Sequence, residues 1–441
     1  MNNNNSNLKE KRFIVPERRS LQYDEEMQKI YRFDPSEIRV VRLGAPYPAA
    51  YVKSERNRNW MSYSPQDSFP FLFDKPSKHF LQHEDEKQRN YAEFKLTLYN
   101  KLVTLIGEDK IHLLRQFPSR HWFLYCFLER CGDYAYDLLS SNPALGYLLS
   151  AHALFHPLKS KSYWRSARTL LLKKRKDILD YFGFPGKETT VKILAKIVHK
   201  SIKNKVLFTL RKNLREKPDL LRTLSFYSKH NESSLYILNS DLIKVFHSNF
   251  IDQIAQGKLG MNRHYFFHLV KDIKRMQAVL AENNVPPKTL LFKSSFDVEL
   301  LHDELMNSIN SFQSKSQNYV FPDSPLPDVK NQDLHIESIK NSAMLYAEGK
   351  EMNHCIYSYC DELKKGDHFA ARMLHPQRLT LFFRKDSKRC RLLEVRGKNN
   401  ALPKNELLTL IDQWLSEYIR PEDPNQLTLF DYLFEFEERF G

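Results

Sequence analysis

Glycine and long apolar runs are both scarce in this chain. Only 12 of the 441 residues are glycine, which disfavours Gly-rich barrel architectures and Gly-rich binding loops. No apolar run approaches the roughly 20 residues that span a bilayer. The first residues, MNNNNSNLKEKR, lack the apolar core of a secretory signal. We therefore expect a cytoplasmic protein with no membrane partner.

Cysteine is also sparse, and the commonest catalytic motifs are missing. Five cysteines, an odd number in so long a chain, do not make a disulfide framework and favour a reducing compartment. The chain has no Walker loop, GxGxxG step, HExxH motif or serine-centred elbow. These absences argue against the commonest nucleotide-binding and hydrolase classes, and we expect no cofactor.

Positive charge is concentrated in one segment. The net charge is +15, and residues 159–229 contain 20 Lys and Arg against 5 Asp and Glu, an excess of 20 − 5 = 15. The rest of the chain is therefore close to neutral. Such a surplus attracts polyanions through salt-sensitive phosphate contacts, and a nucleic-acid partner is one interpretation. A solvated face of helices is the other.

The distribution of proline, glycine and apolar residues predicts a mainly α protein, with an irregular α-helical array followed by a small α+β domain that contains an antiparallel sheet. A chain of this length can form two or three domains. Near the start, only Arg39–Leu43 and Ala49–Lys53 are predicted as short strands. The predicted parts are an irregular N-terminal region (1–85), the helical array (86–312), a linker (313–333) and the α+β domain (334–441).

Lysines recur at helical spacing inside the basic segment. Val191, Leu194, Ala195 and Val198 would line the apolar face of one helix, which leaves a stripe of lysines toward solvent. The lysines of that stripe repel one another, so an acidic partner would stabilise them. That partner is either nucleic acid or an acidic surface of the same protein. The predicted nucleic-acid-binding residues are Lys173, Lys174, Arg175, Lys192, Lys196, Lys200 and Lys203.

The C-terminal domain concentrates polar, reactive and aromatic residues at fixed spacings. Apolar periodicity predicts helices over 336–348 and 352–363, the second capped near Gly366, and a closing helix over 402–418. Two strands are predicted at 379–384 and 390–395.

These motifs resemble the C-terminal module of the PcfJ-like family, which is found on bacterial conjugative elements and phages. The run MNHCIYSYCDELKKG, the strand pair, RGKNN and the helix carrying Trp414 bear the resemblance. Helical sequence upstream extends it over about 137–415. The residues that match the family pattern are His354, Cys355, Ile356, Tyr359, Gly366, Gly397 and Asn400.

Two positions depart from that family pattern. Glu394 replaces the usual glutamine, and Phe382 stands where many relatives have an acidic residue. The resemblance implies association with a mobile genetic element. It does not supply a reaction.

Cys355 has three alternative interpretations. A cysteine at a helix N-terminus beside a histidine is a typical activated nucleophile, and His368 or His375 with Asn399 or Asn400 would complete a Cys, His, Asn order. The predicted helical phase instead turns Cys355 inward, which favours a packing role. His354, Cys355, Cys360 and Cys390 could meet at a metal ion, but no second Cys pair supports a zinc site, so we expect none.

Aromatic residues and arginines interleave on the two strands, as on single-strand nucleic-acid platforms. Alternation would place Thr380 and Phe382 on a face with Arg378 and Arg384, and we favour an ordinary solvated face there over a nucleic-acid contact. The aromatic candidates are Tyr357, Tyr359, Phe369, Phe382 and Phe383. The arginines are Arg372, Arg378, Arg384, Arg389, Arg391 and Arg396.

Three functions remain open. The leading one is a nucleic-acid-associated accessory protein of a conjugative plasmid or phage, which binds polyanion through the basic segment. The second is an enzyme whose candidate catalytic residues are His354, Cys355, Tyr359, Arg396 and Asn400. The third is a protein–protein adaptor.

Overall fold

The chain forms two compact units in the computed structural model. One comprises Met1–Ile243 with Ile251–Lys258, and the other Lys244–Phe250 with Leu259–Gly441. The Asn-rich tail and residues 313–317 of the predicted linker lie outside the described residues. The described ranges are 20–62 with gaps at 25–28, 35–36, 44–47 and 55–56, then 73, 75–77, 81–82, 86–150, 163–311, 318–386 and 389–418.

The first unit begins with a five-stranded antiparallel sheet. Its strands pair in chain order: β1 (Ser20–Asp24), β2 (Lys29–Asp34), β3 (Glu37–Arg42), β4 (Ala49–Ser54) and β5 (Asn57–Ser62). The expectation of an irregular region is therefore wrong for residues 20–62. Buried Ile38 and Val40 alternate along β3, and the hydroxyl of Tyr125 donates to the Leu43 carbonyl just beyond it.

After a first helix of 21 residues, most of the helices that follow are short. They are α1 (Glu86–Ile106), α2 (Glu108–Arg115), α3 (His121–Cys131), α4 (Asp133–Ser141), α5 (Pro143–Ser150), α6 (Tyr163–Leu171), α7 (Arg175–Tyr181), α8 (Glu188–Ala195), α9 (Asn204–Glu216), α10 (Leu220–Ser225), α11 (Glu232–Leu238) and α12 (Ser248–Ala255). Apolar side chains are buried along most of them, as expected for a helical array.

The predicted lysine stripe does not form, because helix α8 ends at Ala195. The backbone of Val198 is extended, and its N–H donates to the His230 carbonyl at 2.9 Å. The N–H of His230 donates to the Lys196 carbonyl, also at 2.9 Å. This bridge replaces helical hydrogen bonds, so the four lysines between 192 and 203 do not share one helix face.

The second unit joins two long helices to a second antiparallel sheet. The sheet order is β10, β9, β8, β7, β6. In chain order, the elements of the second unit are α13 (Arg263–Glu282), α14 (Ser295–Ser311), β6 (Val329–Lys330), β7 (His335–Ser338), α15 (Ser342–Met352), a 3-10 turn (Cys355–Tyr359), α16 (Cys360–Lys365), β8 (His368–His375), β9 (Leu379–Asp386), β10 (Arg389–Arg396) and α17 (Asn405–Tyr418).

Both faces of this sheet are buried. On one face, Leu381 and Phe383 pack with Trp414 of α17, and the ring centroids of Phe383 and Trp414 lie 5.9 Å apart. On the other face, Phe382 packs with Leu345 and Ile356 from α15 and the 3-10 turn. The expectation of a solvated face carrying Thr380 and Phe382 is therefore wrong.

Some expected elements occur in the second unit and others differ. Both predicted strands are present, and Gly366 caps α16 with φ 80°, a conformation that glycine adopts without a steric penalty. The first predicted helix starts at Ser342 because residues 335–338 pair as strand β7. Residues expected as linker contribute β6 and buried Phe321 and Leu326 to this unit, so the linker prediction is wrong for them.

The predicted fold class is confirmed: the described chain is mainly α-helical, with a small antiparallel sheet in its C-terminal part. Within the described ranges, none of the helices combines the length and apolar character needed to cross a bilayer.

Replacing Phe382 tests whether the sheet face that carries it is buried. Phe382 is 3% exposed, so Phe382→Ala removes a filled core volume and should cost about 3–5 kcal/mol of unfolding free energy. The measurement is urea denaturation followed by circular dichroism. The control Leu393→Ala, on strand β10 and 39% exposed, should stay within about 0.5 kcal/mol of the parent. Equal stability of both variants would contradict the burial.

Candidate functional site

The five candidate catalytic residues come together at one small pocket of the second unit. Its volume is about 20 Å³, close to the space that one water molecule needs. The pocket lies where the 3-10 turn meets strands β9 and β10. Its lining residues are His354, Cys355, Ile356, Tyr359, Thr380, Phe382, Glu394, Arg396 and Asn400.

A reversal of the chain after helix α15 aims the 3-10 turn at the sheet. Asn353 ends the helix in the left-handed region with φ 51°, which asparagine adopts more readily than most residues. His354 is then extended, so the predicted continuous helix over 352–363 is broken. The Asn353 amide donates to the Asn399 side-chain oxygen at 2.8 Å, which ties this reversal to the turn after β10.

His354 is held by a chain of buried polar groups. Its Nε2 lies 2.7 Å from the Thr380 Oγ1, and the Thr380 hydroxyl donates to the Glu348 carboxylate. Glu348 is 1% exposed and is paired with Arg378, whose Nη1 donates at 3.0 Å. Because the Thr380 proton is directed at Glu348, Thr380 accepts the hydrogen bond from His354 Nε2–H.

The second ring nitrogen of His354 is a buried hydrogen-bond acceptor. Burial lowers the pKa of His354 to about 4, so the ring is neutral at physiological pH. Since Nε2 carries the proton, Nδ1 has a free lone pair. This atom has no hydrogen-bond partner among the described residues.

The environment of Cys355 does not fit a nucleophilic thiolate. Its sulfur lies 3.6 Å from Asp272 Oδ2, and burial, followed by the Asp272 charge, raises the pKa of the thiol far above its usual value. The ring of His354 is directed at Thr380 and not at this sulfur. The His368 ring stacks on Phe382 at 5.4 Å, and His375 is exposed at the end of β8, so the Cys, His, Asn order has no structural counterpart.

Asp272 and Arg275 of helix α13 support the 3-10 turn from behind. Arg275 Nη2 lies 2.7 Å from Asp272 Oδ1, and its Nε donates to the Ser358 hydroxyl at 2.8 Å. The guanidinium also covers the Tyr359 ring, 3.5 Å from its centroid. Burial opposes the charge of Asp272, but the hydrogen bond with His268 and the Arg275 charge bring its pKa below the usual range.

A β-bulge directs Glu394 into the site. Leu392 pairs with Phe383, whereas Glu394 pairs with Phe382, so Leu393 is an extra residue in strand β10. After the bulge, Glu394 and Arg396 face the 3-10 turn. The Tyr359 hydroxyl donates to Glu394 at 3.3 Å, and Arg396 Nε lies 3.0 Å from the same carboxylate. Burial, followed by the Glu394 charge, raises the pKa of Tyr359.

Sequence reasoning missed Glu348 on α15 and four further residues of this site on α13 and α14. His268, Asp272 and Arg275 share one helical face, at spacings of four and three. His302 follows buried Val298 by four residues. The sequence did offer one signal: Asp272 and His302 occupy positions on the apolar faces of their helices. A buried charged group needs a partner, so such positions indicate a polar site.

Asp272, His302 and Cys355 place one potential ligand atom each within 4.8 Å of one another. Of the metal candidates suggested by sequence, only Cys355 belongs to this group. Among the described residues, neither Cys360 nor Cys390 belongs to a group of three such ligands.

The alternative of an aromatic and arginine platform on the sheet does not fit the structure, because its phenylalanines are not exposed. Phe369, Phe382 and Phe383 are buried. Arg372 pairs with Glu337, and Arg378 and Arg396 pair with glutamates 348 and 394. These arginines therefore stabilise the module through internal ion pairs.

Three of the seven predicted nucleic-acid-binding residues have internal partners in the first unit. Lys196 donates to the carbonyls of Ser225 and Tyr227 at 2.9 and 2.8 Å. Lys203 Nζ lies 3.2 Å from Glu232. Arg175 donates to the Ser141 hydroxyl at 2.6 Å. The exposed members are Lys173, Lys174, Lys192 and Lys200.

Alkylation should distinguish a buried thiol from a thiolate at Cys355. We expect iodoacetamide at neutral pH to label half-buried Cys360 and Cys390 before Cys355, because Cys355 is buried and its thiol stays protonated. Peptide mass spectrometry with fragmentation measures each site. Labelling in denaturant, where the three should react alike, is the control. Fast labelling of native Cys355 would contradict the assignment.

Comparison with known proteins gives no match: no family model, no curated protein and no solved structure is similar to this chain. The resemblance to the PcfJ-like family therefore rests on the sequence motifs alone.

Proposed function

We propose that the second unit is a hydrolytic enzyme unit, and that the pocket at His354 holds the attacking water. In this proposal His354 Nδ1 accepts a proton from that water. The carrying observation is that the buried Nδ1 has no hydrogen-bond partner among the described residues, while His354 lines the pocket.

The hydrogen-bond chain behind His354 supports a proton-accepting role. Glu348 fixes the direction of the Thr380 hydroxyl, and that hydroxyl fixes the ring and tautomer of His354. A base oriented by a second polar group, which is oriented by a buried carboxylate, is the arrangement that catalytic triads use in general form. The commonest hydrolase motifs are absent from the chain, so this would be a separate arrangement.

The pocket size and its polar lining support a water as the occupant. A volume of about 20 Å³ admits one water, and buried waters are held by two to four polar partners. Glu394, Arg396 and Asn400 line the pocket beside His354. The guanidinium of Arg396, which is already paired with Glu394, would supply a further N–H to a substrate that develops negative charge, such as a phosphoester.

A substrate panel with a histidine variant tests this proposal. We expect the chain to hydrolyse one class among aryl esters, aryl phosphates, phosphodiesters and oligonucleotides. In His354→Gln, kcat should fall by roughly 10²–10⁴-fold because the proton acceptor is removed. The control is His375→Gln, which changes an exposed histidine on β8. No turnover across the panel, or equal kcat in both variants, would reject the proposal.

A second candidate function is binding of a nucleic-acid backbone by residues 159–229. It is favoured by the charge surplus and by four exposed lysines, Lys173, Lys174, Lys192 and Lys200. The resemblance to the PcfJ-like family adds the expectation of an accessory protein on a conjugative plasmid or phage. We also propose a cytoplasmic location, which the small and odd number of cysteines supports.

Charge reversal separates phosphate binding from a merely solvated surface. Glutamate at lysines 173, 174, 192 and 200 should weaken double-stranded DNA binding, and the slope of log K against log salt should become shallower by about 0.9 for each phosphate that is no longer neutralised. Fluorescence anisotropy over a salt series measures both. The control variant carries glutamate at four exposed lysines of the second unit, namely Lys330, Lys350, Lys365 and Lys404. Equal weakening in both variants would show a general charge effect.

A further inference from the structure

Three electron-pair donors from separate elements converge behind the pocket. Asp272 comes from helix α13, His302 from α14 and Cys355 from the 3-10 turn, and all three are buried. The Asp272 Oδ2 lies 3.6 Å from the Cys355 sulfur and 3.9 Å from His302 Nε2. A carboxylate, an imidazole and a thiol are three of the side-chain types that bind zinc.

The separations fit a shared tetrahedral centre. Zinc bonds of about 2.0–2.3 Å place neighbouring ligand atoms roughly 3.3–3.8 Å apart in tetrahedral geometry. The observed 3.6 Å between oxygen and sulfur lies within that interval, and the 3.9 Å between oxygen and nitrogen exceeds the roughly 3.3–3.5 Å of such a pair by about half an ångström, which a side-chain rotation can close. The three side chains therefore need no change in backbone path to bind one ion.

His302 supplies an independent observation that points to a ligand. The residue is 2% exposed, and its Nδ1 lies 3.2 Å from the Asp303 carboxylate, to which it donates. The tautomer with a proton on Nδ1 leaves a lone pair on Nε2. This lone pair has no hydrogen-bond partner among the described residues, and the nearby Asp272 oxygen is itself an acceptor. Two facing acceptors are stabilised by a cation between them.

We propose that Asp272, His302 and Cys355 bind a divalent transition-metal ion of the zinc class. On binding, the Cys355 sulfur bonds to the metal and its thiol proton passes to solvent. The carboxylate and thiolate together neutralise the charge of the ion. Arg275 remains on Oδ1, the other oxygen of Asp272, so it can orient the carboxylate without occupying the metal position.

Asp303 serves as an outer partner of the site in this proposal. Metal-binding histidines commonly donate their second N–H to a carboxylate, which fixes the ring orientation and raises its basicity. The Asp303 side chain is 65% exposed, so replacing it should disturb packing little. This residue therefore separates metal affinity from protein stability. The metal proposal does not depend on the proposed hydrolysis.

Metal titration of the full chain tests the site directly. The protein is stripped with a chelator and titrated with Zn²⁺ in competition with a chromophoric chelator, and with Co²⁺ in the spectrophotometer. We expect one tight site, together with a thiolate-to-cobalt charge-transfer band and the visible bands of tetrahedral cobalt. Cys355→Ser should abolish the charge-transfer band, whereas the matched control Cys360→Ser should keep it. Asp303→Asn should bind zinc about 10–100-fold more weakly with an unchanged circular dichroism spectrum.

Three results would contradict the proposed metal site. Absence of a stoichiometric site in the parent chain, a charge-transfer band that survives in Cys355→Ser, or parent-like affinity in Asp303→Asn would each reject the proposal. If Cys355→Ser does not fold, the Asp303→Asn titration decides. Absence of turnover in a chain that binds zinc would reject only the enzyme proposal.

Discussion

The buried carboxylate of Asp272 is the charge on which the C-terminal unit depends. With its side chain only 7% exposed, it would be costly to ionise without partners. Arg275 takes one oxygen, while the other lies 3.5 Å from His268 Nδ1 and 3.6 Å from the Cys355 sulfur. The same guanidinium reaches Ser358 and covers Tyr359, so one ion pair attaches helix α13 to the 3-10 turn. The position of the candidate site follows from that attachment.

Local patterns in the sequence predicted the parts of the fold that local forces decide. Strands β9 and β10, the cap at Gly366 and the closing helix with Trp414 each arise from alternation, turn chemistry or amphipathic spacing within a short stretch. The break at Asn353 and the bulge at Leu393 escaped the same reasoning, because helical phase and strand alternation both assume regular geometry. The structure groups the five candidate residues by means of these two irregularities.

Long-range pairing decided what the sequence patterns could not. Lysines 192 to 203 have helical spacing, yet the bridge between Ile197 and His230 ends the helix. Lys196 donates its hydrogen bonds to backbone carbonyls instead. Residues that looked like linker complete a sheet edge, because Val329 pairs with Ile336. Asp272 and His302 lie far from Cys355 in sequence, and only packing of two long helices brings them to it.

The bulge at Leu393 determines which face of strand β10 carries Glu394 and Arg396. Leu392 and Val395 are three residues apart and still share the hydrophobic face, which leaves Glu394 and Arg396 on the opposite face. Along a regular strand Leu392 and Glu394 would point the same way, so a strand of the same length without the bulge would turn the carboxylate toward the apolar layer around Trp414. Deleting Leu393 would instead leave Leu392 and Glu394 as neighbours on a regular strand, with the carboxylate still paired opposite Phe382. The site therefore depends on how strand β10 accommodates its extra residue, and not on the length of the strand.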